Sequence, residues 1–314
     1  MRAVSQDRLG PPSVLHMVTV PRPEPGGTEV LVRVLAAGVN PVDWKTRADG
    51  GRLGPPPFIL GWDVAGVVEA LGEGVTRFAV GDRVFGMPWF PRQAGAYAEY
   101  LTCPSRQLAA TPGSLDDEQA AGLPLAALIA WQSLIDTAAI KTGDRVLIQA
   151  AAGGVGNLAV QIAKHAGAYV IGTAATRDQA FLAELGVDQP IDYTKANVAG
   201  EVTDVDVVLD LVGGAIGVAS VPLLRDGGLL ISVPSAADLK PLRAAAGRVR
   251  VTGILVEPDR TGMDAIAALA SAAKLRQRIA RTFPLDQAAH AHELGESGRA
   301  GGKMILIPQA ADND

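Results

Sequence analysis

The sequence predicts an α/β protein: a β-rich front followed by a doubly wound parallel sheet. Short apolar stretches that alternate with polar residues crowd the first part of the chain. Beyond it, nearly continuous apolar runs alternate with amphipathic helical patterns. A turn of small residues, Ala151-Ala152-Gly153-Gly154-Val155-Gly156, joins one such run to one such helix.

In the front, Val30–Ala36 has the period of two of a half-buried strand, and Gly66–Leu71 and Arg83–Gly86 are further short strands. Gly81-Asp82 lies between apolar runs and reads as a turn. Gly50–Pro57 is a loop, because its prolines and glycines support neither a helix nor a central strand. Asp116, Asp117 and Glu118 then precede the Ala- and Leu-rich run Gln119–Ala139, read as one helix. Acids suit a first turn, where the dipole favours negative charge.

The middle reads strand Arg145–Ala150, helix Val155–Ala166, strand Tyr169–Thr173 and helix Arg177–Leu185. Val155, Leu158, Ala159, Ile162, Ala163 and Ala166 share one helix face. Val205–Leu211 and Leu229–Val233 are apolar almost throughout, as strands covered on both faces are, so the sheet is expected to be parallel. Arg248–Val256 closes the series. Met263–Leu275 reads as a helix and Lys303–Ile307 as a last strand. The expected division is a β-rich domain of 1–118 and 259–314 and a nucleotide-binding domain of 119–258.

Composition narrows the function. The 314 residues suit two domains, and 48% hydrophobic with 19% charged residues is ample for a core. The net charge of −5, with no basic stripe, argues against nucleic acid as the principal ligand. Cys103 is the single cysteine, which excludes an internal disulfide and a cysteine-built zinc site. It reads as a small apolar residue. No stretch reaches the roughly 18 apolar residues of a membrane span, and the start does not read as a signal peptide. A soluble cytoplasmic protein with no nucleic-acid or membrane partner is expected.

Ala151-x-Gly153-x-x-Gly156 fits the dinucleotide fingerprint with Ala in first place, after a strand and before a helix. Small residues let the backbone approach a pyrophosphate, and the N–H groups opening a helix point at it. Ala151, Ala152, Gly153, Gly154, Val155 and Gly156 are therefore cofactor candidates. An NAD site usually places an acid at the end of the second strand, to take the ribose 2′-hydroxyl. Here Gly172–Arg177 carries none, and Arg177 suits a 2′-phosphate. NADPH is the expected cofactor, with Ala174, Thr176 and Arg177 at its adenosine end and Tyr193 nearby. The plainer reading of Arg177 is a solvated first-turn residue, and Tyr193 reads equally as a half-exposed residue of a strand end.

Several pieces taken together resemble the medium-chain dehydrogenase/reductase superfamily, in its zinc-independent quinone oxidoreductase and enoyl reductase branch. They are Gly38–Asp43, Gly61–Gly66, Gly81–Val84, Ala150–Gly156, Asp210–Gly214 and Gly302-Lys303, spanning nearly the whole chain. The resemblance implies a GroES-like catalytic domain interrupted by a Rossmann domain, with the active site in the cleft between them. It also implies a homodimer, paired through the last Rossmann strand, 248–256. Zinc enzymes of the superfamily have Cys where this chain has Asn40, and His-Glu where it has Trp62-Asp63. Asn and Trp do not replace thiolate or imidazole on zinc, so no metal is expected. His16, His165, His290 and His292 read as surface or packing residues.

Without a metal, hydride passes from the cofactor to a carbon activated by conjugation, and the protein orients the partners and excludes water. The expected reaction is reduction of a quinone or an α,β-unsaturated carbonyl. An enoyl-thioester reductase and an inactive NADPH-binding sensor are the alternatives. The resemblance carries Asn40 and Asp43 over as catalytic, with Lys45 as a polar neighbour; both residues also read as Asx-type turn formers. Trp44, Trp62, Trp89 and Ile129 are expected around the substrate; the family often has Thr where Ile129 stands. Val212, Val233 and Val256 are expected near the carboxamide of the nicotinamide, and Lys303 on the cofactor.

Overall fold

The computed structural model describes residues 1–234 and 238–308. The chain forms two compact units, Met1–Leu128 with Glu257–Asp314, and Ile129–Val256. The final six residues of the expected front domain lie outside the described residues. Among the described residues no helix is long and apolar enough to cross a membrane.

The first unit is GroES-like and is built on the strand Glu29–Val39. Asp63–Leu71 pairs antiparallel with it, Gly38 opposite Asp63. Lys303–Ile307 pairs antiparallel with its end, Met304 opposite Val39. Asn40, Asp63 and Lys303 therefore meet at one end of three adjacent strands. The same sheet continues through Arg83–Gly86 to Leu108–Ala110, and through Ile279–Pro284 on the other side. Its core is aliphatic: Val30, Val32, Val34, Val64 and Val68 are all 3% exposed or less. The alternation that predicted Val30–Ala36 comes from these inward valines.

The second unit is a Rossmann-like sheet of six strands, every pairing parallel. Their order is Gln189–Asp192, Tyr169–Ala174, Arg145–Ile148, Val205–Asp210, Leu224–Ser232 and Arg250–Gly253. Chain order runs outward in both directions from Arg145–Ile148 and Val205–Asp210. Between those two lies the topological switch point, where such sheets bind ligands at the carboxyl ends of their strands. Val146, Leu147 and Ile148 are all fully buried, which is why this strand lacks alternation.

Gln119–Ala139 is not one helix. Asp117–Gly122 ends before Pro124, which starts a second helix, Pro124–Trp131, followed by a π-helical turn, Gln132–Thr137. Proline has no N–H to continue a helix and is tolerated at a first turn. The first piece belongs to the first unit, where Gln119 Nε2 donates to the Gln277 carbonyl at 3.0 Å. Asp116 caps it, accepting the Gln119 N–H at 2.7 Å. The last Rossmann strand is shorter than predicted, Arg250–Gly253, and stands at the sheet edge.

Candidate active site

The small-residue turn follows the strand Arg145–Ile148. Ala150 has φ 48°, a left-handed conformation disfavoured for a residue with a side chain. Its N–H is held by Thr173 Oγ1 at 3.2 Å, and the Ala151 N–H by the Thr173 carbonyl at 2.9 Å. A Cβ on Gly156 would stand 2.2 Å from the Ala150 carbonyl oxygen, so only glycine lets the helix start this close to the strand end. A Cβ on Gly154 would meet nothing within 4 Å, which leaves that side of the turn open. Asn157, buried, donates from Nδ2 to the Gly153 and Gly154 carbonyls at 2.7 and 3.1 Å. Those carbonyls are thereby drawn inward, away from where an anion would sit. No side chain caps the helix Gly156–His165, and the Asn157 N–H donates to the Gly153 carbonyl at 3.0 Å. Open space, inward carbonyls and an uncapped helix start fit a diphosphate. Asn157 escaped the sequence reading, because a helix-interior Asn carries no motif signal.

The second strand ends at Ala174, 3% exposed. Its own segment has no acid, but its neighbour supplies one: Ala174 pairs with Asp192. Thr176 Oγ1 donates to Asp192 Oδ2 at 2.5 Å, and Thr194 Oγ1 to Asp192 Oδ1 at 2.6 Å. These hydroxyls hold the Asp192 carboxyl down to about 2. Arg177 is 68% exposed and leans on Asp178 at 3.4 Å. Tyr193 is 56% exposed.

On the other side of the switch point, Asp210 Oδ1 accepts the Val212 and Gly213 N–H groups at 3.0 and 2.7 Å. Ser232 Oγ donates to Asp210 Oδ2 at 2.6 Å, and the Val233 N–H donates to the Asp210 carbonyl at 3.0 Å. The N–H groups of Val212 and Val233 are thus committed within the protein. Val256 and Ile129 are buried, 4% and 7% exposed.

In the first unit, Asn40 and Asp43 lie in a buried polar network. Asn40 Nδ2 donates to Asp63 Oδ2 at 2.8 Å, and Lys303 Nζ donates to Asn40 Oδ1 at 2.5 Å and Asp63 Oδ2 at 2.7 Å. Asp63 Oδ1 accepts the Leu125 N–H at 2.7 Å. Asn40, Asp63 and Lys303 are 2%, 0% and 4% exposed, so each must be satisfied internally. Lys303 was expected on the cofactor; its ammonium instead neutralises Asp63. Asn40 was expected to act on substrate, yet its amide is committed on both atoms.

Asp43 Oδ2 accepts the Asn40 N–H at 2.6 Å and closes the first turn of the helix Pro41–Asp49. Burial, with the nearby Asp63 carboxylate, pushes the Asp43 carboxyl up to about 7. Beyond it stand Tyr97 and His292, with Tyr97 Oη 3.1 Å from His292 Nε2 and Arg47 Nη1 3.3 Å from His292 Nδ1. Burial, then the Arg47 charge, pulls His292 down to about 3, so its ring is neutral. A guanidinium only donates, so Nδ1 accepts and Nε2–H donates to the Tyr97 hydroxyl. Arg47 Nη2 ends the chain on Glu296 Oε1 at 2.6 Å. His292 is therefore a packing residue, while His290 is exposed beside Phe283.

The tryptophans pack. Trp62 is 2% exposed, with its Nε1–H on the Arg92 carbonyl at 2.6 Å and its ring edge-on to Phe90. Such burial leaves it no open wall to offer a substrate. Trp44 lies against Gly295, where a Cβ would come within 2.6 Å of its ring. Trp89, at φ 61°, donates Nε1–H to the Thr102 carbonyl at 2.9 Å. Cys103 is buried, and burial pushes its thiol up. Among the described residues no group of three or more His, Cys, Asp or Glu is placed to hold a metal.

A GroES-like unit interrupted by a parallel six-stranded sheet, with a small-residue turn at its switch point, defines a dehydrogenase/reductase architecture. Residues 26–113 match the alcohol dehydrogenase GroES-like domain, and residues 185–306 match the zinc-binding dehydrogenase family. The chain is 36% identical to a 2-haloacrylate reductase of Burkholderia sp, covering 99% of both chains. It is 33% identical to the quinone oxidoreductase of Sus scrofa over 98% of each. The quinone oxidoreductase structure from Coxiella burnetii superposes with a TM-score of 0.92 at 38% identity, covering 98% of this chain and 99% of that one. Escherichia coli quinone oxidoreductase complexed with NADPH gives 0.86 at 29% identity, over 98% and 100%. The chain belongs to the medium-chain dehydrogenase/reductase superfamily, in its quinone oxidoreductase branch, and is an oxidoreductase.

Proposed function

We propose that the protein is a zinc-independent, NADPH-dependent reductase of quinones or α,β-unsaturated carbonyl compounds. The observation that carries this reading is the open, uncapped turn Ala151–Gly156 at the switch point of the parallel sheet. The relatives that reduce quinones and haloacrylates support the substrate class, and the NADPH complex of the Escherichia coli protein supports the cofactor.

Ala151, Ala152, Gly153, Gly154, Val155 and Gly156 form the diphosphate turn: the Ala151 and Gly153 N–H groups are held by the Thr173 and Ala150 carbonyls and fix its shape, and the rest of its backbone meets the diphosphate. Ala174, Thr176, Arg177 and Tyr193 hold the adenosine end. The carbonyls at Val212 and Val233, fixed by Asp210, orient the carboxamide, with Val256 and Ile129 as apolar neighbours. When bound, the nicotinamide supplies the hydride. Asn40 and Asp43 serve by positioning: the salt-bridged Asn40–Asp63–Lys303 group fixes the segment entering the helix Pro41–Asp49, and Asp43 closes its first turn. Trp44, Trp62 and Trp89 shape that region from behind by packing. Asn40 and Trp62, standing where zinc enzymes carry ligands, support metal-free chemistry. The reading includes a homodimer paired through the edge strand Arg250–Gly253, which would cover an open ladder, and a cytoplasmic location.

The test is a panel of quinones, enones and enoyl thioesters with NADPH, with and without chelator. Turnover of quinones or enones that survives chelation supports the reading. NADPH binding without turnover of any quinone or enone overturns it, and a preference for enoyl thioesters reassigns the substrate.

A further inference from the structure

The pairing of Ala174 with Asp192 places a carboxylate beside the end of the second strand, where the sequence alone shows none. The Asp192 side chain is 15% exposed and is built in rather than loose. Its oxygens accept the Thr176 hydroxyl at 2.5 Å, the Thr194 hydroxyl at 2.6 Å and the Thr194 N–H at 3.0 Å. The two hydroxyl oxygens lie 2.9 Å apart, so Thr176, Asp192 and Thr194 form one polar cluster. Both flanking strands are tied across it by Gln179, whose Nε2 donates to the Ala174 and Ile191 carbonyls at 3.0 and 3.2 Å.

The charges around this cluster are balanced. Lys195 Nζ stands 3.6 Å from Asp192 Oδ2, and Arg177 Nε 3.4 Å from Asp178 Oδ2. These two cations and two carboxylates sum to zero. A 2′-phosphate brought here meets the Arg177 guanidinium and the Lys195 ammonium, each already facing a carboxylate, and two fixed carboxylates of its own sign. A 2′-hydroxyl meets an acceptor with a lone pair to spare. We infer that Asp192 is the residue that lets this site take a ribose 2′-hydroxyl, so that the protein uses NADH beside NADPH and Asp192 sets the ratio between them.

This rests on the dinucleotide reading proposed above. The experiment measures dissociation constants for NADPH and NADH by fluorescence, with no substrate present, for the wild type, Asp192→Asn and Arg177→Ala. The wild type binds the two within about tenfold of each other. Asp192→Asn tightens NADPH and weakens NADH, moving their ratio about tenfold or more toward NADPH. Arg177→Ala moves it the other way by weakening NADPH alone. The shift produced by Asp192→Asn shrinks as salt is raised, because it is electrostatic; a merely structural effect on the loop moves both cofactors alike. A ratio unmoved by Asp192→Asn, in a variant with unchanged melting temperature, overturns this inference and leaves the dinucleotide reading standing. A wild type that binds neither cofactor overturns both.

Discussion

The two polar regions of the molecule use their hydrogen-bonding groups in opposite ways. At Asn40–Asp63–Lys303 nearly every donor and acceptor is a side chain, and the members are buried and matched to each other. At Ala151–Gly156 the working groups belong to the backbone, side chains are minimal, and one flank stands open. A closed network fixes geometry and has nothing left for a ligand. An open turn depends on local backbone conformation and keeps one flank clear for one. The residue types that suggest chemistry, Asn, Asp and Lys, thus mark the scaffold, and the plainest ones mark the proposed ligand site.

The largest effect should come from breaking the closed network. Lys303→Met leaves the Asp63 carboxylate buried and unpaired, and urea unfolding should register a loss of about 3–5 kcal/mol. Adding Asp63→Asn should restore much of it; a double variant no better than the single would show that Lys303 matters for packing alone. Gly156→Ala comes next, since its Cβ would collide with the Ala150 carbonyl at 2.2 Å. Overpacking of this kind costs about 1–3 kcal/mol, and dinucleotide affinity should fall with it, whereas Gly154→Ala should leave the melting temperature in place.

A pH titration of stability sharpens the picture of the buried chain beyond Asp43. Burial lowers His292 from 6.5 to about 3, so between those values the unfolded chain holds the extra proton and stability rises with pH. Asp43 is raised from 3.8 to about 7, so between those values the folded protein holds it and stability falls as pH rises. The two slopes oppose each other where the windows overlap, and the wild type should be nearly flat there. His292→Gln should expose the Asp43 slope, a loss of about 2 kcal/mol over one and a half pH units, measured as urea midpoints at pH 4.5 and 6. Asp43→Asn should tilt the same plot the other way. The smallest effect on stability belongs to Arg177→Ala: with the side chain 68% exposed, its melting temperature should match the wild type.

Much of the fold was legible in the sequence because the relevant signals are local. Burial on both faces writes itself as nearly continuous apolar runs, as at Leu229–Val233, and a backbone turn that needs small residues writes itself as Ala and Gly. The long run after Gln119 misled because its composition hides Pro124. The network was illegible for a different reason: Asn40 and Lys303 are 263 positions apart, and only the strand register Met304–Val39 joins them. Asp192 was missed in the same way. An acid was sought along the second strand, and the acid that matters arrives sideways from the third.

The strand Lys303–Ile307 is also the last of the described strands to be synthesised. A ribosome releases Asn40 and Asp63 long before the lysine that neutralises them, and the whole of Ile129–Val256 emerges in between. The Rossmann unit is contiguous and has all its strands in hand while the β-rich unit still lacks the ammonium that pairs with Asp63. Biosynthesis therefore orders assembly: the nucleotide-binding half can be complete first, and the half that was started first finishes last, when Lys303 arrives.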